Sequence, residues 1–504
     1  MLYNHKIQPQ QFCLILIVCS FILRMLFIIT QPLLVEEAYY WNYAQHLDWS
    51  YLDHPPFTAV CIKLTTTLFG LHEWAVRLPS ILAWGITMYY IYRLTELFAQ
   101  GAGCYAMLLI AVLPFFFLLS IVTTPDQIMT ACWSAALYYL YQTLILMHKN
   151  AWYKAGLALG IGMLTKYSIL LVAVSALLYT LTDQKSKSIF KHKEPYLGAL
   201  IAIILFIPVI YWNALHDWVS FAFQSTRRLH AAYQFTLHHL IGLLILFIMP
   251  LGIASLLTLY KTTIIQSSGL SKPQIHFLRI FTCVPLFIFV LFSITHPIKF
   301  NWIGPGLLAL IPWLALLTQK NIQIIPRVAT QYTWIATSIG LLIIYLLLLI
   351  SLSYSFPNSL YKKLLPKFID WRDLTQQFHK IADDVQQTTG KNPILLAIDT
   401  YNTNSELAFY QAQLAQYHNN QTIYPVHGNH IFGWESLMYR YWSKNPSTQD
   451  ILIIISTNPA DLSATTIINN TNHQTKVKWL ESHSANNIAM RRYYYRTATY
   501  SLAK

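Results

Sequence analysis

The chain has 504 residues, of which 55% are hydrophobic and only 11% charged, with a formal net charge of +14. A water-soluble domain carries roughly a quarter charged residues, so composition excludes a wholly soluble protein. The basic excess is spread thinly, as in loops held against anionic lipid headgroups. No basic helix or aromatic-basic platform stands in the polar part, which argues against a nucleic-acid partner.

The first apolar run, residues 12–29, follows few basic residues and lacks a small-residue cleavage site, so it reads as an uncleaved first transmembrane helix. Crossing a hydrocarbon core of about 30 Å takes roughly 20 residues. Further runs fall near 75–95, 102–122, 127–147, 152–165, 167–182, 196–213, 238–260, 276–295, 302–318 and 331–352. The short runs 152–165 and 167–182 flank Lys166. Counting them as two spans puts His148, Lys149, Lys154, Lys185, Lys187, Lys191, Lys193, Lys261, Lys272, Lys320 and Arg327 on the cytoplasmic side, as the positive-inside rule favours. Merging them would reverse every later loop.

Eleven spans place the loop 30–73, the Thr123–Asp126 turn, Lys166, the stretch 214–237, the loop 296–301 and residues 353–504 outside. Arg227, Arg228 and Lys299 break the charge rule on that side, and an external anion site would account for them. Composition changes near residue 353, where Asn, Gln, Thr and Ser become common. The β-branched runs Ile394–Ile398 and Ile451–Ile455 predict buried strands of an α/β layer, with helices near 370–387 and 404–417. No GxGxxG, GxSxG or P-loop pattern occurs there, and none of the six cysteines lies beyond Cys283.

The outer segments hold the residues able to do chemistry. Glu36 and Glu37 are adjacent carboxylates suited to a general base or to orienting an acceptor, although they also fit a headgroup-level pair beside an aromatic belt, Tyr39-Tyr40-Trp41. Asp53 and His54 precede Pro55-Pro56, which stiffen the backbone; such a pair can hold a phosphate or shuttle a proton. Thr124-Pro125-Asp126-Gln127 has the form of a helix cap, with Thr124 as the cap and Gln127 closing the box. Lys166 and Tyr167 interrupt an apolar stretch, where an ionisable side chain is expensive, although Lys166 would also complement a helix C-terminus. Arg227 and Arg228 suit bidentate phosphate binding, and His296 and Lys299 offer two more donors.

These segments, in order, resemble the bacterial membrane glycosyltransferases of the protein-mannosyltransferase-like family, which includes the lipid A aminoarabinose transferases. The match runs from about residue 31 to 320. It rests on Glu36-Glu37-Ala38-Tyr39-Tyr40-Trp41, Tyr51-Leu52-Asp53-His54-Pro55-Pro56, Arg77-Leu78-Pro79, Thr124-Pro125-Asp126, Leu164-Thr165-Lys166-Tyr167 and the His216-Asp217-Trp218 to Arg228 segment. The resemblance implies a polytopic α-helical protein of GT-C fold, with about 11–13 transmembrane helices. Residues 1–352, including the outer loop, would form the transferase domain, and 353–504 a periplasmic α/β accessory domain.

It further implies a polyprenyl-phosphate-linked sugar as donor, working at the periplasmic face of the bacterial inner membrane. The family's first acidic position falls on Glu36, usually Asp, with Glu37 after it; the second falls on Asp126. Lys166 falls on the family's lysine near the donor phosphate. His54 stands where the aminoarabinose transferases carry lysine. Lipid A or another envelope glycolipid or glycan is the preferred acceptor; protein O-mannosylation is the alternative, and a lipid or glycolipid transporter the rival from another class. No metal site is indicated, although a carboxylate is able to hold a divalent cation.

Overall fold

The computed structural model describes residues 9–229, 233–324, 329–354, 369–417, 421–484 and 486–501, and leaves out the side chains of residues 228 and 229. Arg327, expected on the inner side, lies outside the described residues. The residues group into two compact units. One comprises residues 1–26, 49–58 and 78–346; the other comprises 27–48, 59–77 and 347–504. The outer loop is thus divided: residues 27–48 and 59–77 group with the C-terminal part, and only 49–58 with the hydrophobic helices.

Each of the eleven expected spans coincides with helix. Six helices among the described residues are long and apolar enough to cross a membrane: Pro9–Thr30, Glu194–Leu215, Leu237–Thr258, Lys272–Thr295, Phe300–Gln319 and Thr330–Tyr354. A seventh span arises if Gly103–Val112 and Pro114–Ser120, bent by 66°, are one. The bend has a chemical cause. Pro114 lacks an N–H and drives Leu113 to φ −60°, ψ 135°, out of the helical region.

That break leaves carbonyls that lipid cannot satisfy, and side chains from other helices take them. Ala111 O accepts from Ser20 Oγ at 2.6 Å and from Arg24 Nη2 at 2.9 Å. Val112 O accepts from Tyr345 OH at 2.7 Å. Arg24 also donates from Nε to Ser120 Oγ at 2.6 Å, and its guanidinium lies 4.3 Å from the Trp84 ring and 4.4 Å from Phe117. It staples the broken helix rather than awaiting a ligand. Close packing does the rest: a Cβ on Gly156 would come within 2.0 Å of Gly198 O, so only glycine lets the Ala151–Met163 and Glu194–Leu215 helices meet.

The C-terminal unit holds a six-stranded sheet of order β2-β1-β3-β6-β4, with β5 also pairing β6. The strands are β1 Ile394–Ala397, β2 Val426–His427, β3 Ile451–Ser456, β4 Thr471–Asn472, β5 Lys478–His483 and β6 Ala489–Tyr500. β1 pairs in parallel with β2 and β3; β6 runs antiparallel to β3, β4 and β5. The two apolar strands and both helices expected from the sequence are present, as β1, β3, Trp371–Thr389 and Asn402–Tyr417. Asp370 caps the first of these helices by accepting from the amides of Arg372 and Asp373; Trp371, Leu374, Phe378 and Ala382 form its buried stripe.

In the same unit the helix Val35–Gln45 packs on Asn402–Tyr417. Asn42 Nδ2 donates to Ser405 O at 3.3 Å, and Trp41 meets Phe409 edge-on at 5.1 Å. Tyr39, Tyr40, Trp41 and Tyr43 are all buried. They are a packing core, not an interfacial belt.

Candidate functional site

In the helical unit the site grows from the Pro125–Leu144 helix. Thr124 is its N-cap residue, yet the Thr124 side chain makes no capping hydrogen bond, so the expected capping box does not form. Asp126, 2% exposed, instead accepts from Lys166 Nζ at 2.6 Å on Oδ1 and from Asn301 Nδ2 at 2.7 Å on Oδ2. Lys166 follows the end of the Ala151–Met163 helix, and Asn301 lies in the short helix Phe300–Ile303. Residues 40 and 175 positions from Asp126 thereby converge on one carboxylate.

The Asp53-His54-Pro55-Pro56 segment is tied to the same neighbourhood. Phe57 N donates to Leu164 O at 2.9 Å, two residues before Lys166. Gln224 Nε2 donates to Asp53 O. Tyr167 OH and Ser220 Oγ share a hydrogen bond of 2.9 Å, which joins the Lys166 turn to the helix Val219–Gln224. Asp53 is buried and His54 half-buried. Lys166 thus meets Asp126 directly, and the backbone of the 53–57 segment is tied to the Leu164–Tyr167 turn and to Gln224.

The remaining basic candidates are less engaged. Arg227 is exposed, with its guanidinium 4.8 Å from the Phe223 ring. The side chain of Arg228 lies outside what is described. His296 stacks on Phe292 at 4.7 Å and shares a 2.7 Å hydrogen bond with Thr295 Oγ1. Lys299 is exposed, two residues before Asn301.

In the C-terminal unit the two adjacent glutamates part company. Glu36 is exposed, whereas Glu37 is fully buried. Successive helical residues project about 100° apart, so one carboxylate faces solvent while the next faces the core. Glu37 Oε2 accepts from Arg77 Nη2 at 2.6 Å and from Leu34 N at 3.0 Å, and Oε1 from Arg77 Nε at 2.9 Å. Arg77 also donates to Gln31 O at 2.7 Å and Pro32 O at 2.6 Å. Glu37 thus fastens the entry of its helix, a structural use that leaves Glu36 as the accessible acid.

Sequence reasoning passed over three residues that matter. Asn301 closes the outer loop 296–301, and its residue type alone assigns it no role. Arg77 was quoted only as a motif member. Glu406 is fully buried, and neither carboxyl oxygen has a hydrogen-bond partner among the described residues. Its burial, with Glu37 and Glu36 nearby, raises its pKa well above the carboxylate range. Nothing local in the sequence marks it, because Asn402–Tyr417 mixes polar residues with Leu407, Phe409, Tyr410 and Leu414 and shows no stripe that assigns Glu406 to the core. Among the described residues no group of three or more His, Cys, Asp or Glu is placed to hold a metal ion.

Residues 53–212 match the family of dolichyl-phosphate-mannose-protein mannosyltransferases. No curated protein matches the chain by sequence. Among solved structures, ArnT from Cupriavidus metallidurans in the apo state is similar over 96% of this chain and 97% of its own, at 13% identity and a TM-score of 0.59. The same protein bound to undecaprenyl phosphate gives 13% identity and a TM-score of 0.60 over the same shares. At that identity the likeness speaks to fold, and it spans both units. The chain is a multi-pass membrane protein of GT-C fold, mannosyltransferase-like over residues 53–212.

Proposed function

We propose that the protein transfers a glycosyl unit from a polyprenyl-phosphate carrier to a lipid or glycan acceptor on the periplasmic side of the bacterial inner membrane. The observation that carries this reading is the buried Asp126–Lys166 pair, held by Asn301 and tied to the Asp53-His54-Pro55-Pro56 segment. The undecaprenyl phosphate bound to the similar ArnT supports the lipid carrier. Loop charge parity supports the outer side.

The chemistry needs little acid assistance, because a phosphate is a good leaving group. The acceptor oxygen attacks the anomeric carbon as its bond to the phosphate oxygen breaks. The bonding electrons leave with the polyprenyl phosphate, and the acceptor proton passes to a carboxylate. Direct displacement inverts the anomeric centre. Lys166 stabilises charge growing on the departing phosphate, with His54, Arg227, Arg228, His296 and Lys299 as further phosphate-side donors. Asp126 orients or deprotonates the acceptor; Glu36, the accessible acid of the C-terminal unit, is the alternative candidate for that role.

The test is a mass comparison of envelope lipids from cells with and without the gene, complemented by Asp126→Asn and Glu36→Gln. Loss of a glycosylated species that the wild-type chain restores is expected. Asp126→Asn should restore it at a rate lower by roughly 100-fold or more. Full rescue by both variants would defeat the site assignment. A second reading, protein O-mannosylation, is favoured by the family match over residues 53–212; it would appear as lost glycoproteins with unchanged lipids.

A further inference from the structure

The polar centre around Asp126 is only partly satisfied. Asp126 oxygens can only accept, so the Asn301 amide must turn Nδ2 toward them, and that fixes Oδ1 on the other edge. Asn301 Oδ1 is buried with no hydrogen-bond partner among the described residues. The same holds for Gln127 Oε1, in a residue 1% exposed, and for Thr124 Oγ1. All three belong to the helix entrance at Asp126 or to its hydrogen-bond partner. A buried acceptor left without a donor costs about 1–3 kcal/mol, so such atoms persist where a ligand supplies the donor.

The chemistry of the vacant partner follows. Two of the three atoms are amide carbonyls, which accept only, so the ligand must bring O–H or N–H groups. A phosphate presents acceptors and would be repelled. The polyprenyl chain presents nothing polar. A cation would meet the Lys166 ammonium, and both Asp126 oxygens are already engaged. A sugar ring offers several hydroxyl donors at once.

Resting on the transferase reading above, we propose that Asn301 Oδ1 and Gln127 Oε1 accept hydrogen bonds from hydroxyls of the glycosyl unit on the donor. These two neutral amides, rather than the charged groups, set which sugar is taken. Lys166 and its neighbours hold the phosphate common to every such donor. A site built to accept from a hydroxyl discriminates strongly against a ligand lacking it.

The test uses the full chain in lipid nanodiscs. Binding of undecaprenyl phosphate is compared with binding of its hexosyl, N-acetylhexosaminyl and aminopentosyl derivatives. Wild type should bind at least one glycosyl form roughly ten-fold more tightly than the bare lipid phosphate, as one well-made hydrogen bond allows. Gln127→Met, which leaves the Asp126–Asn301 contact in place, should bring that ratio toward one without changing affinity for the bare lipid, and Asn301→Ala should lower the ratio as well. Variants that keep the ratio, or that weaken both ligands equally, would overturn the proposal and leave the transferase reading standing. A wild type that binds the bare lipid with no glycosyl preference would do the same. A wild type that binds no polyprenyl phosphate at all would sink both.

Discussion

Two buried ion pairs, one in each compact unit, look alike in a contact list and differ in what they leave over. Arg77 spends its donors on Glu37 and on the carbonyls of Gln31 and Pro32, and Glu37 in turn holds the Leu34 amide. Little is left for a ligand. Around Asp126 and Lys166, by contrast, the Asn301, Gln127 and Thr124 oxygens lack donors among the described residues. Burial and charge are shared by both pairs, so neither identifies a site. What separates them is incomplete satisfaction beside the charge pair, since a buried acceptor is costly until a donor completes it.

The comparison is broken most directly at Arg77. Arg77→Met strands Glu37 as an uncompensated buried charge, which should cost about 3–5 kcal/mol. The double variant Arg77→Met, Glu37→Met should recover most of that loss, because no lone charge remains. Thermal melts of the full chain in detergent decide the point. A double variant no more stable than Arg77→Met alone would mean that the carbonyl contacts, not the charge pairing, carry the energy.

At Lys166 the expected effect is on function rather than on folding. Lys166→Met removes a charge-assisted contact worth about 1.5–3 kcal/mol to a phosphate. The KM for a polyprenyl-phosphate donor should therefore rise roughly ten- to hundred-fold. The Lys166 ammonium lies 2.6 Å from Asp126, so the Asp126 carboxylate competes with a phosphate for its charge. Asp126→Asn should then tighten binding of the bare lipid phosphate while lowering turnover. A parallel loss of both would show that Asp126 supports donor binding as well.

How much of this was readable beforehand follows from the range of each signal. Helix positions were legible because hydropathy is local, and β1 and β3 because their apolar runs are continuous. Asp126 and Lys166 stood out one at a time, as ionisable groups in costly places, but their pairing spans 40 positions and depends on packing. The choice between Glu36 and Glu37 was hidden, since adjacent acids differ only in which way the helix turns them. Tyr39-Tyr40-Trp41 mimicked an interfacial belt because aromatics serve both lipid headgroups and cores. Asn301 and Glu406 carried no local mark: a lone amide and a lone acid in helices of mixed composition acquire meaning only from what does or does not touch them.

Glu406 supplies the smallest effect and the sharpest contrast within its own unit, where the neighbouring Glu37 is saturated. Burial, with the negative charge of Glu37, Glu36 and Glu73, favours its protonated form against the opposing charge of Arg77. Its folded-state pKa is raised, so the folded protein holds this proton more tightly than the unfolded chain does. The associated stability is present below the ordinary carboxylate range and drains away as pH climbs toward the folded value. Glu406→Gln keeps the shape, cannot ionise, and should be more stable than wild type at neutral pH, with the difference closing as pH falls below the ordinary carboxylate range. Thermal melts of the full chain across that range test the sign. A Glu406→Gln protein less stable than wild type at neutral pH would mean that Glu406 is ionised in the fold and shares Arg77 with Glu37, and the two acids would then be a single network.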